Sequence, residues 1–152
     1  MIRHTLATLA YRAGKALRAA PDGFSGFAPA AGSRSAGQIL AHMGDLMEWG
    51  ASIARGRQTW TDSPVQDWDA DVSRFFAALQ AFDDAVSHLD PDDSLGRRLF
   101  QGPIADALQH TGQLTMMRRL AGAPITGENY YQASIVIGRV GLDQDPPRRE
   151  FD

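Results

Sequence analysis

Cysteine is absent from the chain, which removes disulfides, thiolate metal ligands and a cysteine nucleophile from consideration and makes the cytoplasm the simplest expected setting. Any metal must then be held by His, Asp or Glu. Long apolar runs are missing too. No stretch approaches the roughly 20 apolar residues of a membrane-spanning helix. The N-terminal segment is interrupted by Arg3 and His4, so it reads as helix rather than secretion signal, and no membrane partner is expected. Neither sign of charge dominates: 15 Lys and Arg stand against 18 Asp and Glu, a formal net charge of -3. No basic block is long enough to track a nucleic-acid backbone, so nucleic acid is not expected as a partner. Internal repeats and low-complexity tracts are likewise missing.

What is present suits one domain over residues 1–152. A hydrophobic fraction of 43% with 22% charged residues is ordinary for a folded globular chain and argues against wholesale disorder. Ile2, Leu6, Leu9, Ala10, Ala13 and Leu17 recur at helical spacing, and the polar, glycine-rich stretch from Pro21 to Ser33 ends that pattern. Ser35 and Gln38 match a capping box, which predicts a second helix from there to about Arg55, where Gly56 offers a left-handed stop. Its inward stripe is Ile39, His42, Met43, Leu46, Trp49 and Ile53, with one imidazole among apolar chains.

Trp68, Val72, Phe75, Phe76, Leu79, Phe82, Val86 and Leu89 keep helical period and predict a third helix, ended by Pro91 and the Asp-Asp-Ser turn. Gly102-Pro103 then opens a fourth, with proline at the tolerated first position, running to about Ala121 before Gly122 and Pro124. Four helices imply an all-α fold, an antiparallel four-helix bundle. The tail from Ile125 onward carries the short apolar run Ile135-Val136-Ile137, expected as a short strand or an irregular cover over one end.

Of four histidines, His4 lies in a first turn and His88 near a helix end, both read as solvated. Asp106 and His110 are four residues apart on the fourth helix and so share a face, along with Gln113, Leu114 and Met117. A carboxylate at the margin of a core needs a partner. Spacing leaves two readings for His42, Asp106 and His110: hydrogen-bonded pocket residues, or three ligands of one cation with coordination positions left open. Asp45 is a candidate to steady an imidazole N–H, or to form a salt bridge; Gln113 is a candidate to orient a bound water, or to be solvated. Trp49, Trp60, Trp68, Phe75 and Phe76 are core first and pocket lining second. Arg118 and Arg119 fit an anionic substrate or, more simply, the helix C-terminus. The segment "GFSGFAPAAGS" lacks the lysine of a phosphate loop and reads as a linker.

Three stretches, "AGQILAHMGDLMEWG" (36–50), "GPIADALQHTGQLTMMRRLAGAP" (102–124) and "GENYYQASIVIGRVG" (127–141), resemble the DinB/YfiT-like superfamily. That family's second helix carries a metal-binding His in a pattern like L-x-H-x-x-x-x-x-x-W, which His42 and Trp49 match. Its later helix carries H-x-x-x-H followed by Gly-Gln, where "DALQHTGQL" aligns His110 with the second ligand and puts Asp106 at the first. The departure makes the site harder and more negative. The resemblance implies a four-helix bundle with an inward divalent metal, Zn, Ni, Fe or Mn, on His42, Asp106 and His110, with Asp45, Trp49, Gln113 and Met117 around it. It further implies transfer of a low-molecular-weight thiol to a small-molecule substrate, and a homodimer. The alternatives are a hydrolase using metal-bound water and a non-catalytic bundle that binds a small ligand or dimerises.

Overall fold

The computed structural model describes residues 1–89 and 94–151, and the chain is mostly helical with one two-stranded sheet. Helix α1 (Ile2–Leu17) turns Leu6, Leu9, Ala10, Ala13 and Leu17 inward, the spacing that buries one helical stripe. Helix α2 (Ala36–Ala54) begins at the expected capping box: Ser35 Oγ accepts the Gln38 N–H at 3.3 Å and the Gln38 side chain accepts the Ser35 N–H at 2.8 Å. It ends at Arg55 with Gly56 at φ +76°, the left-handed geometry that glycine adopts without a Cβ penalty.

Helix α3 (Trp68–Val86) is capped by Asp67, whose carboxylate accepts the Ala70 N–H at 2.9 Å. It stops one turn before the expected Leu89. Ser87 and Leu89 donate their backbone N–H groups to Asp84 and Val86, three residues back, and the Ser87 hydroxyl donates to the Asp84 carbonyl at 2.7 Å, tightening the end of the helix. Asp90, Pro91 and the start of the expected turn lie outside the described residues.

The last helical stretch differs most from expectation. It starts at α4 (Ser94–Leu99), passes through a π turn (Phe100–Ile104) and continues as α5 (Ala105–Leu120). Pro103 is therefore inside a helix rather than at its first position. A π turn accommodates it: the Ala105 N–H reaches back five residues to the Phe100 carbonyl, so the local ladder is wider where the proline ring would otherwise clash.

Packing joins α2 chiefly to α3, α1 to α3 and α5, and α2 to α5. The fully buried side chains Leu6, Leu9, Met43, Met47, Phe75, Leu79, Phe82, Leu99, Ile104 and Leu114 form one apolar cluster drawn from all of these helices. Helices α2 and α3 approach closely where α2 has no side chain: a Cβ at Gly50 would fall into the Phe82 ring. No helix among the described residues is long and apolar enough to cross a membrane.

The tail supplies a short strand pair, but not from Ile135–Ile137, which is irregular with only Ile135 packed on the core. The pair is β1 (Gly127–Glu128) with β2 (Glu150–Phe151), antiparallel. Glu128 pins it to α1: its buried carboxylate accepts the Tyr11 hydroxyl at 2.6 Å and Lys15 Nζ at 3.0 Å, and Lys15 also reaches Glu150 at 2.7 Å. Burial, with the Glu128 carboxylate that accepts its hydrogen bond, pushes the Tyr11 phenol well above its ordinary range, keeping it a hydrogen donor.

Two glycine substitutions separate packing from propensity. Gly50→Ala should lower unfolding free energy by about 1–3 kcal/mol through overpacking against Phe82. Gly112→Ala, at an exposed α5 position with open space around it, should raise it by about 0.5–1 kcal/mol. Denaturant midpoints at constant slope check both.

Candidate metal centre

Helix α2 places His42 at the edge of its buried stripe, half-buried, while Asp106 and His110 sit one turn apart on the face of α5 that meets it. The Asp106 carboxylate lies between the two imidazoles: Oδ2 is 3.6 Å from His42 Nε2 and Oδ1 is 3.4 Å from His110 Nε2. The rings are 5.1 Å apart and nearly perpendicular. One ligand atom from each residue falls within 4.8 Å of the other two, a group of the kind that can hold a metal ion. The two separations from the Asp106 carboxylate exceed the roughly 2.7–3.2 Å of an N–H to oxygen hydrogen bond. They are close to the roughly 3.4 Å edge between neighbouring donors of a tetrahedral site with bonds of about 2.1 Å.

The electrostatics suit neutral imidazole. Burial pushes the His42 pKa down, aided by His110 and Arg34, while Asp106 opposes the shift. His110 Nδ1 is 2.7 Å from Gln113 Oε1. With the amide oxygen as acceptor, Nδ1 carries the proton, and a neutral ring turns its Nε2 lone pair toward Asp106. Gln113 thus touches the imidazole directly. Met117, buried on the same helix, lines an apolar groove beside His110.

Asp45 does not serve an imidazole. It is buried and committed to Arg74, whose Nη1 lies 2.9 Å from Oδ1, and to the Ser63 N–H at 3.1 Å. Its strongest partner, Arg74, is on α3, and the ion pair draws the Asp45 carboxylate to that side rather than toward α5. Arg74 is the centre of this cluster. It also donates to Glu48, to the Ser63 hydroxyl and to the Ala41 carbonyl, and lies 3.7 Å from Asp71. Gly44 gives it room, since a Cβ there would come within 2.7 Å of the guanidinium.

Through this cluster the connection between α2 and α3 is held down. Asp71 accepts the Gln66 N–H at 2.9 Å, Asp45 takes Ser63, and Ser52 Oγ accepts the Thr59 N–H at 2.9 Å. The segment carries Trp60 onto the site, edge-on to His42 at 5.6 Å and to Trp49 at 5.8 Å. Trp49 also lines a shallow cleft with Asp106. The other aromatics are structural: Trp68 meets Phe24, and Phe75 and Phe76 pack on each other in the core. Arg118 is structural as well. It is buried and donates to the carbonyls of Ala16, Arg18 and Ala123, closing the C-terminal ends of α1 and α5. His4 and His88 are exposed, as expected.

Sequence reasoning missed Arg74, whose partner Asp45 is distant in the chain, and Arg34, which lines the groove next to His110. The only available signal for Arg74 was its place within a strongly apolar helix, between Val72 and Phe75. Comparison with family models, with curated proteins and with solved structures finds no match for this chain.

Arg74→Leu should cost about 3–5 kcal/mol, because it leaves the buried Asp45 and Asp71 carboxylates without a cation. It should also free the segment over His42, so that chymotrypsin cuts after Trp60 faster than in the wild type. A cleavage rate and an unfolding midpoint that both stay at the wild-type values would disprove the anchoring role.

Proposed function

We propose that the chain is a metal-dependent enzyme of the DinB-like kind, in which His42, Asp106 and His110 hold a divalent cation and a low-molecular-weight thiol is transferred to a small-molecule electrophile. The single observation that carries this is the convergence of three ligand atoms, from two helices, within 4.8 Å of one another. Contacts of α1 and α2 with both α3 and α5 support an antiparallel four-helix bundle as the frame. A homodimer in the cytoplasm belongs to the same proposal.

The donor set fits Zn, Ni, Fe or Mn: two imidazole nitrogens and one carboxylate oxygen, with three protein ligands leaving positions free. When bound, such a cation lowers the pKa of a coordinated thiol or water and so supplies a nucleophile near neutral pH. The chain's own groups perform the rest. Gln113 fixes the tautomer and orientation of His110. Asp106 brings the negative charge that offsets the cation. Trp60 and Trp49 cover the His42 side and limit water there. With no cysteine in the chain, the thiol must arrive as a separate small molecule. The Asp106 side chain is 41% exposed, and this openness to water favours hydrolysis as the second reading of the same site.

Untagged protein should carry about one metal per chain by elemental analysis, and His42→Ala together with His110→Ala should abolish it. Gln113→Leu should weaken zinc affinity about 10–100-fold while leaving the helical content unchanged. Wild-type protein that is metal-free and takes up no Zn, Ni or Mn would instead identify a non-catalytic, small-ligand-binding bundle.

A further inference from the structure

An apolar groove of about 420 Å³ runs away from the His42, Asp106 and His110 cluster between the segment before α2 and one face of α5. His110 and Gln113 line one end, and Ile39, Met117 and Leu120 line its walls. Two of the large apolar chains along it remain open to solvent, Met116 at 52% and Leu120 at 59%. Exposed apolar surface leading to a few convergent polar groups is the usual make-up of a small-ligand site. The groove's one charged lining residue is Arg34, an exposed guanidinium with no hydrogen bond or carboxylate partner among the described residues. Its positive field reaches as far as His42.

The charge pattern selects the ligand. A cationic ligand would meet Arg34 and the metal position with like charge. A strongly polar ligand would leave its hydrogen-bonding groups unpaired against Ile39, Met117 and Leu120. A neutral apolar ligand would gain the walls and leave Arg34 unused. We propose that this groove binds a small organic anion with an apolar body, a medium-chain monocarboxylate in class, its carboxylate held by Arg34 at the end next to His110 and its chain lying along Ile39, Met117 and Leu120. The metal position beside His110 adds a second attraction for the carboxylate, and that part rests on the metal reading given above. The guanidinium contributes a charge-assisted hydrogen bond, and the walls contribute burial of the alkyl chain.

Calorimetric titration of the full chain with octanoate, against octan-1-ol and octylammonium, tests this on zinc-loaded and chelator-stripped protein, with metal content counted separately. Octanoate should bind about tenfold more tightly than either comparator, and Arg34→Gln should remove about that factor for octanoate alone, with zinc content unchanged. Leu120→Glu should weaken octanoate further by placing a like charge on the wall. Octanoate binding that is no tighter than octylammonium, or that ignores Arg34→Gln, overturns the assignment. Full zinc loading without octanoate preference sinks the groove proposal alone. Arg34-dependent octanoate binding by a chain that takes up no zinc sinks the metal reading and upholds the groove.

Discussion

A single guanidinium, that of Arg74, sets how α2, α3 and the connection between them fit together. Two buried carboxylates, Asp45 on α2 and Asp71 on α3, face it, and it reaches Glu48 and the Ala41 carbonyl besides. Buried charges are costly unless each is paired and hydrogen-bonded; here each carboxylate is paired, and Asp71 Oδ1 and Arg74 Nε face each other at 3.7 Å without a hydrogen bond. The backbone N–H groups of Ser63 and Gln66 donate to Asp45 Oδ2 and Asp71 Oδ2, so the same cluster that joins two helices also fastens the chain running between them. The position of Trp60 over His42 follows from that fastening.

The candidate centre is therefore built in two layers. The inner layer is three side chains from α2 and α5, two of them placed by spacing on α5 and the third by the packing of α2 against it. The outer layer is less regular: an amide on the next turn of α5, two indoles, and an ion-pair cluster that fastens the segment carrying Trp60. Regular helix geometry fixes distances within α5, but only the tertiary contact between α2 and α5 brings His42 to Asp106. Any looseness in the α2–α3 packing would change the cover over His42 before it disturbed the α5 pair.

What could be read from the sequence follows the same division. The capping box at Ser35 and Gln38 and the stop at Gly56 obey local rules and appear where those rules put them. The pairing of Asp106 with His110 is legible because both lie on one helix turn apart, and His42 was visible as the one imidazole in an apolar stripe. Of the two readings of Asp45 the salt bridge is the one found, but its partner could not be named, because Arg74 sits on a different helix and nothing in local spacing points to it. The tail was legible only in part. Its apolar run Ile135–Ile137 takes the irregular of its two expected forms, whereas the strand pair joins Gly127–Glu128 to Glu150–Phe151, held by a buried acid on α1 side chains rather than by β propensity.

The π turn at Phe100–Ile104 puts one more residue into its turn than a regular helix would hold. Each residue of an α-helix advances the side-chain direction by about 100°. Relative to α4, everything from Ala105 onward is thereby re-aimed by about that angle. Deleting Pro103 would restore an ordinary helix and swing the Asp106 carboxylate and His110 imidazole off the α2 side together. The aim of both groups is set by the length of a single turn, and Gly102 and Pro103 are part of the instruction that keeps it.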